Sequence, residues 1–212
     1  HRALFCNQTS GNTAVGYSAL RYNTTGTGNT SVGYAALKDN NYGTCNTAIG
    51  AFSLTKNTIG FANTAVGYAS MKCNITGRFN TAVGYKSLFW NEKGDMNSAF
   101  GEYAMFHNAS GLSNTAVGDS ALYHNTYGSW NVSLGAASMF ANTTGCSNSA
   151  VGHFSLKNNT TGNSNVAVGR SALYCNTYAN NNVAVGTAAL QQNKTGNANV
   201  AIGYKSLQCS NF

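Results

Sequence analysis

Proline is missing altogether from this chain, charge is scarce, and no long apolar run occurs. A backbone without proline keeps every N–H available for ladder hydrogen bonds between neighbouring segments. With only 8% charged residues the chain lacks the composition of a disordered segment, and with 24 glycines it lacks that of a helical domain. No stretch of 18 apolar residues exists, so no helix is expected to cross a membrane, and no basic region followed by an apolar one marks a signal peptide. Acidic residues number only five, leaving a net charge of +7. The twelve Lys and Arg are scattered over many places and form no basic run, so a solvated surface is expected and not a nucleic-acid partner.

What is present is a repeat. The pentapeptide Asn12-Thr13-Ala14-Val15-Gly16 returns every seventeen residues, its first Asn recurring at 29, 46, 63, 80, 97, 114, 131, 148, 165, 182 and 199. A fixed short period means stacked units that bury their apolar faces on one another, because one unit alone could not. The expectation is a single rod-like domain over residues 1–212, with no boundary inside it.

Counting from that Asn as position 0, position 2 is Ala or Ser in all twelve copies and position 3 is aliphatic apart from Phe100. Position 7 is Ala or Ser, and position 8 is Leu or Met, from Leu20 to Leu207. Positions 2, 3, 7 and 8 are the predicted core. Positions 0 to 4 read as a short β-strand, one per coil, and positions 5 to 10, almost free of β-branched residues, as a compact turn. A full helix in each coil would not fit, since strands stack about 4.8 Å apart and packed helices need roughly 8 to 10 Å. The fold class is therefore all-β, a parallel β-solenoid of twelve coils.

Asn recurs at position 11, from Asn23 to Asn193, and Gly at position 14, replaced once by Ala179. Both tolerate left-handed backbone and are assigned to the corners; Asn at positions 0 and 11 is expected to stack on its copies as amide ladders. Both strand faces are restricted to small or apolar residues, where a solvated face would drift towards Lys, Glu and Gln. One side should fill the coil and the other pack on a neighbouring subunit, which implies an oligomer.

Runs such as Asn12-Thr-Ala-Val-Gly-Tyr-Ser-Ala-Leu-Arg-Tyr-Asn-Thr-Thr-Gly26 resemble the tandem repeats of tail-fibre and surface-fibre proteins of phages, bacteria and large viruses. More loosely they are similar to the head repeats of trimeric autotransporter adhesins, where an Ala-hydrophobic-Gly core recurs. The resemblance covers nearly the whole chain. It implies a parallel β-roll or β-solenoid, usually trimeric, exposed outside the cell or virion.

Because equivalent positions stack in columns, residues seventeen apart become predicted neighbours. Glu102 and Asp119 share position 5 in consecutive coils, a separation of about 5 Å that suits a retaining glycosidase pair or a cation site. A strict repeat without long loops supplies no cleft for them, and two solvated carboxylates are expected instead. His107 and His124 share position 10, but two imidazoles do not complete a metal site, and no metal or other cofactor is expected. Phe89, Phe106, Tyr123 and Phe140 form an aromatic column at position 9, where earlier coils carry Arg21, Lys38 and Lys72; such a strip suits sugar stacking or a protein contact.

The six cysteines make no disulfide framework: Cys175 and Cys209 share a column but lie two coils apart, roughly 9.6 Å against a limit of ~7 Å. Sequons such as Asn142-Thr-Thr144 arise from the Asn-Thr-Thr-Gly turn itself. The chain begins and ends in mid-coil without a polar cap, so end-to-end addition into a filament is also expected. The leading expectation is a non-enzymatic segment of an extracellular fibre, possibly adhesive towards a surface glycan or host receptor. A carbohydrate-binding or carbohydrate-cleaving module and an ice-binding protein are the alternatives.

Overall fold

The computed structural model describes residues 2–209, which fall into two compact units, one up to Ser110 and one from Gly111 onwards. The fold is an all-β parallel solenoid with about seventeen residues per coil and one short strand in each. The first unit contains β1 (Thr13–Val15), β2 (Thr30–Val32), β3 (Thr47–Ile49), β4 (Thr64–Val66), β5 (Thr81–Val83) and β6 (Ser98–Phe100). Each pairs in parallel with the next in chain order, in the register that sets Val15 beside Val32 and Ala48 beside Ala65. The second unit repeats the arrangement with β7 (Thr115–Val117), β8 (Val132–Leu134), β9 (Ser149–Val151), β10 (Val166–Val168), β11 (Val183–Val185) and β12 (Val200–Ile202). Among the described residues no helix is long and apolar enough to cross a membrane.

The strands occupy positions 1 to 3, one residue shorter at each end than the sequence pattern suggests. Their faces also differ from expectation. The small residue at position 2 points inwards, with Ala48, Ala65 and Ala82 fully buried, and position 3 points out: Val15, Ile49 and Phe100 are exposed. Position 3 therefore leaves the predicted core. The reason is the pleat, which sends neighbouring side chains to opposite faces, combined with an interior already filled by the Leu/Met column. Leu20, Leu37, Leu54, Met71 and Leu88 are fully buried, leaving room opposite them for a small side chain, Ala or, as at Ser31 and Ser133, Ser.

The corners are made differently from the predicted Asn/Gly pair. Left-handed backbone falls at positions 6, 8 and 16, as at Ser18, Leu20 and Cys45, and neither Asn23 nor Gly26 adopts it. Holding a leucine there costs about 1–2 kcal/mol. Complete burial of its side chain returns ~1.5–3 kcal/mol, and the backbone stays paired, with Leu20 N–H donating to the Ala36 carbonyl at 3.0 Å. The position 6 backbone is paired in the other direction, Ala35 N–H donating to the Tyr17 carbonyl at 2.8 Å. The ladder thus continues from the strand through the turn, in keeping with a spacing of seventeen that is unbroken from Asn12 to Asn199.

The two recurring glycines have separate causes. At position 4 the backbone has φ between 119° and 137°, as at Gly33 and Gly203, a region side chains rarely adopt. At position 14 the backbone is ordinary but there is no space: a Cβ on Gly43 would overlap the side-chain oxygen of Asn40 and the Gly60 carbonyl.

That carbonyl column is the node of each coil. The oxygen of Gly43 accepts Nδ2 of Asn29 at 2.8 Å and Nδ2 of Asn40 at 2.9 Å, so positions 0, 11 and 14 close on one atom. The expected amide ladders are present as well. Asn40, Asn57 and Asn74 each donate Nδ2 to the side-chain oxygen one coil earlier, at 2.9, 2.6 and 2.7 Å. At position 0 the same oxygen accepts a backbone N–H, Asn46 to Asn29 at 3.0 Å. Buried amides with every partner supplied stiffen the interior instead of weakening it.

Candidate functional site

Within the turn at positions 5 to 10 the outward side chains vary in chemistry while the backbone does not. In the first unit the turn presents a run of rings. Tyr17 stacks on Tyr34 at 5.3 Å between centroids and 10° between planes; Tyr34 meets Phe52 at 5.2 Å; Phe52 meets Tyr68 at 5.9 Å. Tyr68 stacks on Tyr85 at 5.3 Å, and Tyr85 meets Tyr103 at 5.4 Å. Six successive coils each contribute one ring. The tyrosines at position 5 remain between 40% and 51% exposed, so the array lies on the surface.

Continuity depends on a substitution between neighbouring positions. Where position 5 has no ring, at Ala51 and Glu102, position 6 has one, Phe52 and Tyr103. A column-by-column reading of the sequence does not see this, because it follows one position at a time. The signal was there, in that each missing aromatic is followed at once by another.

Across the turn runs position 9, carrying Arg21, Lys38, Thr55 and Lys72 beside the first four rings. Between the two rows lies a groove of about 360 Å³. Lys72 Nζ sits 5.2 Å from the Phe52 ring and Lys38 Nζ 5.6 Å from that of Tyr22; the Arg21 guanidinium lies 4.8 Å from Tyr22. Thr55 faces inwards, its hydroxyl donating to the Phe52 carbonyl at 2.8 Å. One carboxylate is near, Asp39, 3.7 Å from Lys38 Nζ. Among the described residues Arg21 and Lys72 have no ion-pair partner, and Arg21 Nε is buried without a hydrogen-bond acceptor. Further along, Lys86 Nζ lies 5.1 Å from the Tyr85 ring, and a hydrogen bond to the Tyr85 phenol holds its ammonium above the usual lysine range.

The residues singled out from sequence are placed as follows. Phe89 and Phe106 stack at 5.1 Å in the first unit, and Tyr123 and Phe140 stack at 5.1 Å in the second. All four are half-buried, more enclosed than an exposed strip would be. Phe106 also meets Tyr103 at 5.6 Å, which joins the position 9 rings to the longer array. His107 packs edge-on against Phe106 at 4.7 Å. His124 lies against Tyr123 and Phe140 at 4.7 and 5.0 Å, and its burial pushes the imidazole below its ordinary value. Glu102 and Asp119 are both exposed, Asp119 accepting the Ser120 hydroxyl at 2.7 Å. Glu102 and His107 belong to the first unit, Asp119 and His124 to the second. Among the described residues no three His, Cys, Asp or Glu side chains gather as a metal ion requires, and all six cysteines are free thiols.

No protein-family model matches the chain, and neither does any curated protein or solved structure.

Proposed function

We propose that this chain is a non-enzymatic structural segment of an extracellular fibre, a stiff solenoid that associates with copies of itself through its outward strand face. The observation that carries the reading is the apolar character of that face. Position 3 is Val, Ile, Leu or Phe in every coil and points out, and in the second unit position 1 changes from Thr to Val at Val132, Val166, Val183 and Val200. A strand face that met only water would drift towards Lys, Glu and Gln; a face limited to Val, Ile, Leu, Phe, Thr and Ser, without a single charged residue, marks a contact surface. Display outside a cell or virion is the setting that the resemblance to tail-fibre and surface-fibre repeats implies. Rigidity is the contribution of the interior, where amide columns and backbone ladder run together from coil to coil.

The test is native mass and sedimentation velocity on the protein and on a Val66→Lys/Val83→Lys variant. The expected result is a small defined oligomer that the two lysines dissociate while the far-UV spectrum is kept. A wild-type protein that stays monomeric at high micromolar concentration overturns the reading.

A further inference from the structure

We propose that the groove between the aromatic array and the position 9 cations binds an acidic polysaccharide, an extended pyranose chain carrying a carboxylate or sulfate on its residues, laid along the stack with about one sugar to each coil. The proposal stands on different residues from the strand face and does not depend on self-association.

The rings are not there to make the coil. The second unit builds the same turn with Ala136-Ala137 and Thr187-Ala188 at positions 5 and 6, in the same left-handed backbone at Ala137 and Ala188. A fold that closes equally well on alanine does not need six consecutive rings. Nor does stacking of ring on ring require both faces of the run to stay open, yet the tyrosines are about half exposed. A maintained, exposed ring in each of six coils, with the ring moved to the adjacent position where the column is interrupted, is the arrangement of a linear contact surface.

The shape selects the occupant. Successive centroids lie 5.2 to 5.9 Å apart. Taking a planar base between two rings needs about 7 Å, twice the ~3.5 Å contact distance, so the array cannot intercalate the bases of a single-stranded nucleic acid. A pyranose chain needs no such gap: it lies along the outer side of the run and meets ring faces and ring edges in turn, since three of the five successive pairs are edge-on, and its length per residue is close to the rise of one coil. The exposed phenols of Tyr17 and Tyr34 give hydroxyl partners at the edge of that contact.

Charge selects further. Residues 2–74 contain five Lys or Arg and a single acid, Asp39. Three of the five, Arg21, Lys38 and Lys72, line the groove, two of them without an anion of their own. They stand in three of four successive coils, with Thr55 in the third, so a polymer with a negative charge on most of its residues meets them along the row, and a planar guanidinium beside an ammonium suits carboxylate or sulfate alike.

The experiment is titration of the whole chain with oligogalacturonate, heparin-derived oligosaccharide, neutral cello-oligosaccharide and poly(dT), at low and at physiological salt, read by tyrosine fluorescence and calorimetry. Binding of one of the acidic sugars is expected, weakened by salt. Which of the two binds tells carboxylate from sulfate. Arg21→Gln/Lys72→Gln should weaken it roughly tenfold, Lys72→Arg should preserve it, and Lys157→Gln in the second unit should leave it unchanged. Tyr34→Ala should weaken it at any salt concentration, with the thermal transition measured alongside to show that the chain is folded. The proposal is overturned if neither acidic sugar binds at low salt, if the double variant binds as well as wild type, if the neutral sugar binds equally, or if poly(dT) is preferred.

Discussion

The side-chain oxygen of Asn176 is buried without a hydrogen-bond partner, and three residues on stands Ala179, the one alanine among the position 14 glycines. Elsewhere in the second unit the equivalent oxygen accepts Nδ2 from the next coil, as Asn142 accepts Asn159 at 2.9 Å. Asn193, which should bridge to Asn176, keeps only the other bond of its kind, Nδ2 to the Gly196 carbonyl at 2.9 Å, where Asn159 makes both. A Cβ at position 14 overlaps the space between successive amides, as the glycine one coil earlier, Gly162, makes plain. The methyl group therefore interrupts the column. Ala179→Gly should restore the missing bond, recovering about 1–3 kcal/mol against the ~0.5–1 kcal/mol that glycine loses in backbone entropy. A net gain near 1 kcal/mol is expected in urea denaturation, and a loss of stability would count against the blocked-column account.

Within an unbroken column the reverse change should be severe. Asn57 donates to Asn40 at 2.6 Å and to the Gly60 carbonyl at 2.9 Å, and it accepts from Asn74 at 2.7 Å. Asn57→Ala leaves the buried Asn40 oxygen without a partner and takes from Asn74 Nδ2 one of its two acceptors, the Gly77 carbonyl remaining, a cost of about 3 kcal/mol. Asn163, whose bonds to Asn180 are on the surface, should tolerate alanine to within about 0.5 kcal/mol. Equal effects at the two sites in chemical denaturation would refute the distinction.

Thiol chemistry separates the cysteines by depth. Cys73 is buried, and that burial raises its pKa, while Cys45 and Cys209 are exposed. A disulfide-exchange reagent at neutral pH should modify Cys45 and Cys209 quickly and Cys73 only slowly, since the thiolate is the reacting form. Peptide mapping after short exposure gives the order directly, and early labelling of Cys73 would contradict its placement.

Acid should act through His124. Burial depresses its pKa in the folded chain below the unfolded value near 6.5, so the unfolded state takes up the proton first as pH falls. Above about pH 6.5 the group is neutral in both states and contributes nothing; below it, stability declines. His124→Phe, which keeps a ring against Tyr123 and Phe140, should flatten thermal stability between pH 7 and pH 5 relative to wild type. An unchanged slope would assign the acid sensitivity elsewhere.

The period made much of this legible. Stacked columns, one strand per coil, the buried Leu/Met row and the asparagine ladders all follow from residues spaced seventeen apart. What did not follow is instructive. Position 3, being aliphatic, reads as core from the sequence, yet Val15 and Ile49 face outwards, since the pleat gives the inward place to position 2, where a small Ala or Ser stands beside the leucine column. Residue preference points to Asn23 and Gly26 for the left-handed corners, whereas Leu20 and Ser18 occupy that region under the pull of the ladder and the core. Glu102 and Asp119 drew attention as acids in one column; the more informative feature of Glu102 is that the ring it displaces reappears at Tyr103.

From coil to coil the inward groups meet the same few atoms, two asparagine amides on one position 14 carbonyl and on the amide of the coil before, with Asn176 the exception. Nothing in that closure consults the residues on the turn. Each level can therefore exchange its outer side chains without disturbing the interior, so the molecule offers a series of slots at fixed intervals, each answering only to its neighbours on the surface. New recognition chemistry can be written into one slot at a time while the interior goes on unaltered.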